Sequence, residues 1–153
     1  MKYIIEKQIE LDAPVERVWR ALTDYREFGE WFCVALDEPF KPGQVSRGHV
    51  TYAGYEKMRW EAVVKEMQRE KLFSFTWHPA PADPTKDYSH EAPTLVEFRL
   101  QKTPNGTLLK VTESGFDKLP HERRLAAYRE NDEGWVLQMK NIEEHLSLVT
   151  HGA

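Results

Sequence analysis

The period of the apolar and polar positions, and the points where it changes, divide the chain into elements. Residues 3–11 alternate loosely, with Ile5, Ile9 and Leu11 on one face, and predict a strand. Asp12, Ala13 and Pro14 then announce a helix. Asp12 or Ala13 lies near the cap, and Pro14 suits a first turn where its missing N–H has no helical partner. Glu16 falls at the positive end of that helix. Val15, Val18, Trp19 and Leu22 recur at helical spacing and mark one buried face. A second short helix is predicted over 25–31, with Phe28, Trp31 and Phe32 as its apolar residues.

Strand signals dominate the middle of the chain. Pro39, Pro42 and Gly43 turn it into a strand over 44–52, and Ala53 to Glu56 turn it again. Over 57–67, Trp60, Ala62 and Val64 face one way while Arg59, Glu61 and Lys65 face the other. The polar turn at Arg69, Glu70 and Lys71 leads to 72–77, where Phe73, Phe75 and Trp77 alternate strictly with Ser74 and Thr76. From His78 to Pro93 the chain is polar and rich in proline, including Pro79, Pro81 and Pro84, a long loop of the kind that often carries function. A strand follows over 94–102, with Val96, Phe98 and Leu100 on one face. Asn105-Gly106 then predicts a hairpin into 107–113, where Leu109 and Val111 share a face.

After Gly115 and Phe116 the period becomes helical to the end, with Leu125 and Tyr128 in the first part. Trp135, Met139, Ile142, Leu146 and Val149 form a stripe at spacings of four and three, and Lys140, Glu143, Glu144 and Ser147 lie outside it. Gly134 either splits this helix or lets its backbone approach the sheet closely. A strand, two short helices, a run of strands and one long helix specify an α+β fold, in which a curved antiparallel sheet wraps a long C-terminal helix. A single domain over 1–153 is expected, with its core at about 3–148.

Bulk properties narrow the functional classes. Hydrophobic residues make up 41% and charged residues 30%, a globular composition. The net charge of -4 is spread along the chain without a Lys/Arg block, which argues against nucleic acid as a partner. Cys33 is the single cysteine, so no intramolecular disulfide or multi-cysteine metal site can form, and its aromatic neighbours predict a buried, inert thiol. The N-terminus has no apolar signal core and no stretch is long and apolar enough to span a bilayer, so a cytoplasmic protein is expected.

Five local patterns, in order, carry a likeness to a known family. Asp12 to Asp24 resembles its "apvervWraltd" opening, and Phe28 to Phe32 its following aromatic segment. Glu61 to Met67 before Lys71 to Trp77 resembles its paired central strands, and Leu109 to Phe116 the strand ending before its long helix. Gly134-Trp135 followed by Met139, Ile142 and Leu146 resembles its closing helix. The chain thus resembles the START-like, Bet v 1-like (SRPBCC) superfamily, and within it the family homologous to the C-terminal domain of the activator of Hsp90 ATPase. The resemblance implies a helix-grip fold with an apolar cavity between sheet and helix. Members of the superfamily bind lipids, sterols, hormones or polyketides, some are cyclases or aromatases, and some act as co-chaperones. Fold alone therefore leaves the function open.

Periodicity directs Trp60, Phe73, Phe75, Trp77, Phe98, Trp135 and Met139 between sheet and helix, where they either pack on one another or line the implied cavity. Glu113 shares the parity of Leu109 and Val111, so its carboxylate points inward, placed to hold a ligand hydroxyl or to act as a base. These eight residues are the candidate ligand-binding set, and no catalytic group is assigned. His78 and His90 flank the long loop near the expected cavity mouth, as a base, as a ligand partner or as plain surface. Arg59, Glu61, Glu97 and Arg99 are expected to form cross-strand ion pairs on the outer face. No histidine or cysteine spacing suits a metal and no cofactor motif occurs. The expected partner is a small hydrophobic or aromatic molecule. A cyclase-, aromatase- or hydrolase-type enzyme is the first alternative. A co-chaperone-like interaction module is the second, unsupported because the chain leaves no room for the eukaryotic activator's additional N-terminal domain.

Overall fold

The computed structural model describes residues 3–79 and 87–151, with side chains as far as Ser147. Strand β1 (Ile5–Leu11) is followed by helices α1 (Val15–Thr23) and α2 (Tyr25–Phe32). Six strands come next: β2 (Val34–Leu36), β3 (Val45–Val50), β4 (Arg59–Gln68), β5 (Leu72–Trp77), β6 (Thr94–Thr103) and β7 (Gly106–Ser114). A single 3-10 turn (Phe116–Lys118) leads into α3 (His121–His151). The strands form one seven-stranded antiparallel sheet in the order β1-β7-β6-β5-β4-β3-β2. Strands β2 to β7 are therefore a meander, whereas β1 closes the far edge by pairing Ile5 with Glu113 and Leu11 with Thr107. The segment α1–α2 carries the chain from one edge of the sheet to the other, and α3 lies along the inner face. This is the α+β arrangement expected from the pattern, and the helix-grip fold that the family resemblance implies.

Local chemistry accounts for most boundaries. Pro14 is itself the residue before the first turn of α1, with φ -68 and ψ 157, one position earlier than a first-turn proline and without a cap from Asp12. Asp24 separates the two helices by accepting hydrogen bonds from the backbone N–H groups of Arg26 (3.0 Å) and Glu27 (3.2 Å). Cys33 ends α2 in the left-handed conformation, φ 66, and turns the chain at once into β2. Strand β2 has no counterpart in the sequence pattern, because three residues cannot display a period. In β4 the inward set Trp60, Ala62 and Val64 passes to Met67 across a bulge between Val64 and Glu66.

The core is aromatic. Phe28, Phe73, Phe75, Phe98 and Phe116 are fully buried, each contributing about 1.5–3 kcal/mol of burial. Phe73 stacks on Phe98, and Phe40 and Phe75 pack against that pair at tilted angles. From α3, Ala127, Trp135, Met139, Ile142 and Leu146 cover them. Leu125 is exposed, so Tyr128, packed on Tyr3 and Phe116, supplies the apolar contact of the first helical turns. The expected stripe member Val149 lies outside the described side chains. Helix α3 runs through Gly134 unbroken, and a Cβ placed there would meet nothing within 4 Å, so neither a break nor a close backbone approach explains this glycine.

A charge cluster fixes the three helices to one another. Glu27 on α2 pairs with Arg17 and with Arg20 (3.4 Å) on α1, and its Oε1 lies 2.8 Å from His145 Nε2 on α3. On the outer face, Glu61 pairs with Arg47 of the neighbouring strand (3.3 Å), while Glu97 and Arg99 pair along their own strand (3.0 Å). The expected cross-strand pairing is thus met by Glu61, with Arg47 as its partner, whereas Glu97 and Arg99 pair along one strand because side chains two apart share a face.

Candidate functional site

Where α2 ends, the C-terminal end of β5 and the middle of α3 leave a cleft of about 380 Å³. Its walls come from four aromatic rings. Phe32 lies 6.1 Å from Trp60, 6.1 Å from Trp77 and 6.0 Å from Trp135, centroid to centroid, and Trp77 lies 6.0 Å from both Trp60 and Trp135. Cys33, Val34 and Val50 continue the wall towards β2 and β3. Tyr52, Tyr55 and Leu137, each about half exposed, stand at the mouth. The α3 wall is a polar stripe at helical spacing, Asn131, Gly134, Gln138 and Asn141, running beside the apolar one. Among the described residues, no Asp, Glu, Lys, Arg or His lines the cleft.

Behind this wall sits Glu113, fully buried near the end of β7. Its Oε1 accepts from Trp135 Nε1 (2.8 Å), and its Oε2 from Trp77 Nε1 (2.8 Å) and Thr94 Oγ1 (2.6 Å). Asn131 Nδ2 lies 3.0 Å from each oxygen. Four neutral donors thus converge on one carboxyl group with no cation among them. Such a fully engaged polar network is rigid, and a missing member leaves a buried group unpaired. Three of the four donors, Trp77, Trp135 and Asn131, also line the cleft. One buried carboxylate therefore holds a large part of its wall in place.

The structure divides the eight sequence-derived candidates. Trp60, Trp77 and Trp135 line the cleft, and Glu113 holds two of them from behind. Phe73, Phe75 and Phe98 have no exposed surface and fill the space between sheet and helix, and Met139 packs with them. The Trp60 indole N–H is buried behind the ring and meets no acceptor among the described residues. Cys33, expected to be buried, is half-buried at the cleft, because its left-handed backbone brings it out of the helix end. Sequence reasoning passed over Phe32 as a ligand contact, the tyrosines of the β3–β4 turn and the carboxamide stripe. The spacing of Asn131, Gly134, Gln138 and Asn141 is the signal that was available for the stripe.

His78 and His90 are exposed and do not line the cleft. Residues 80–86 of the intervening loop, including Pro81 and Pro84, lie outside the described residues. The flanks of that loop are anchored: Arg123 donates to both oxygens of Glu91 (3.0–3.2 Å) and to the Pro79 carbonyl (3.2 Å), and its guanidinium sits 4.6 Å from the Tyr88 ring centroid. Asp87, exposed beside them, is held below the usual carboxylate range by the backbone N–H and hydroxyl of Ser89. Among the described residues no group of three or more His, Cys, Asp or Glu side chains could hold a metal, and no helix is long and apolar enough to cross a membrane.

Comparison with known proteins agrees with the fold. The protein MLL2253 of Mesorhizobium loti is 26% identical over 94% of this chain and 96% of its own, with a TM-score of 0.73. NE0264 of Nitrosomonas europaea superposes with a TM-score of 0.72 at 22% identity, over 96% of both chains. DynU16, a protein of the dynemicin biosynthetic locus, reaches 0.73 at 20% identity over 96% of this chain and 48% of its own. No curated protein matches the chain. The family model described as activator of Hsp90 ATPase homolog 1-like protein matches residues 12–147, and the chain belongs to that family.

Proposed function

We propose that the protein binds a small, uncharged aromatic molecule in the cleft between α2, β5 and α3. The four-ring wall of Phe32, Trp60, Trp77 and Trp135, on a lining with no ionic side chain among the described residues, is the observation that carries this reading. Flat apolar walls with a few polar groups are the common composition of small-molecule sites. The volume of about 380 Å³ falls near the small end of the roughly 300–1,000 Å³ such sites occupy, room for two or three fused rings. Binding is favoured over turnover because the carboxylate nearest the cleft, Glu113, has both oxygens engaged, and His78 and His90 are not on the lining.

Calorimetric titration with uncharged naphthalenes and with a long-chain fatty acid tests the proposal. Naphthalenes are expected to bind and the fatty acid not to, since nothing on the lining would pair a carboxylate. Gly134→Leu, which projects a side chain into open space on the cleft wall, should weaken naphthalene binding by about tenfold or more while leaving the circular dichroism unchanged. Absence of naphthalene binding, or binding indifferent to Gly134→Leu, would remove the cleft from consideration.

A further inference from the structure

The hydrogen-bond polarity of the α3 wall is fixed by groups behind it. A carboxamide has a donor end and an acceptor end, and its orientation is set by what each end must meet. Glu113 offers only lone pairs to Asn131, so the nitrogen of Asn131 must face it, as the 3.0 Å distances to both carboxylate oxygens show. Reversing the amide would set three oxygens against one another. Asn131 Oδ1 is therefore the end left over, and no described residue donates to it.

The same reasoning runs along the helix. The Phe32 backbone carbonyl, also an acceptor, takes the Gln138 amide nitrogen (3.2 Å). Gln138 Oε1 consequently accepts from Asn141 Nδ2 (3.1 Å). The amides of Gln138 and Asn141 each keep a second N–H, whereas the Asn131 nitrogen is engaged with both oxygens of Glu113 and presents its oxygen alone.

We infer that the cleft selects aromatic ligands carrying a hydroxyl or N–H donor, read by Asn131 Oδ1, with Glu113 as the positioning residue that fixes the amide. This inference rests on the cleft being an aromatic-ligand site. It adds which aromatic molecules are taken: phenols, hydroxylated polycycles or N–H heterocycles, in preference to ethers and ketones of the same shape. A donor-bearing ligand gains a hydrogen bond to Asn131 Oδ1 beside the Trp77 and Trp135 rings, a bond that one offering only lone pairs cannot make.

The test compares 2-naphthol with 2-methoxynaphthalene, which share a ring system and differ in the donor. By calorimetry the wild-type protein is expected to prefer 2-naphthol by about tenfold, although the ether is the more apolar of the two. Asn131→Leu should bring that ratio close to one, whatever its effect on the absolute affinity for 2-methoxynaphthalene. A wild-type ratio near one overturns the inference and leaves aromatic binding standing, even if Asn131→Leu fails to fold. A ratio that persists undiminished in folded Asn131→Leu overturns the assignment to Asn131. Failure of both compounds to bind overturns the inference together with the binding proposal on which it rests.

Discussion

Glu113 shows how much one residue can organise. A buried carboxylate is costly unless donors surround it, and here Trp77, Thr94, Asn131 and Trp135 all donate to it. Glu113→Gln keeps the shape but replaces one acceptor oxygen with an NH2 group. If that group takes the Oε2 position, Thr94 can rotate to accept from it, but the Trp77 indole N–H cannot. If it takes Oε1, the Trp135 indole N–H is left facing it. Either way one buried indole N–H loses its acceptor, and a loss of about 2–3 kcal/mol in denaturant unfolding is expected. A change below a few tenths of a kcal/mol would mean that the network contributes little. The sequence placed this carboxylate inward by parity alone. Its four partners come from β5, β6 and α3, and no spacing along one element could announce their convergence. For Phe73, Phe75, Phe98 and Trp77 the limit was different. Period two gives the face of a strand but not the depth along it, so three residues near the middle are packed under α3 while Trp77, at the strand end, borders the cleft.

At the scale of elements, the legible parts were those with enough length to show a period. Strands β1 and β3 to β7 and helices α1 and α2 lie within a few residues of where periodicity put them. Strand β2 was too short to read, and Cys33 before it depends on a left-handed turn that no apolar pattern encodes. Gly134 is the instructive error. A glycine inside a helix suggested a break or a tight contact, yet tertiary packing of Trp135, Met139, Ile142 and Leu146 carries α3 straight through it. The side chain is missing at a place where one would project into the cleft wall. Gly134→Ala should therefore stabilise the fold by about 0.5–1 kcal/mol, through the lower helical cost of alanine and without a clash. Thermal or chemical unfolding would show the gain. A loss of stability instead would indicate that the helix needs the glycine for its own geometry.

For the whole molecule, the order of elements gave the α+β class, and five local patterns gave the family likeness that implied the helix-grip architecture. The extent of the open space inside it was not legible. Whether large aromatic side chains fill a sheet–helix gap or leave part of it empty depends on the relative positions of α2, β5 and α3. Those positions are set by the Glu27 cluster and by Glu113, both made from residues distant in sequence.

The register of β1 against β7 also bears on how the chain folds. Strands β2 to β7 each pair with the next in sequence, so the meander grows by successive local closures, whereas Ile5 can meet Glu113 only after almost the whole intervening chain has been gathered. Joining distant ends costs more chain entropy before any contact repays it. Refolding followed by pulsed hydrogen exchange should show β4 to β7 acquiring protection first and β1 in a later phase. Simultaneous protection of β1 would refute that order. Until β1 docks, β7 presents an open hydrogen-bonding edge, and this makes the late intermediate the species most exposed to pairing with a second chain.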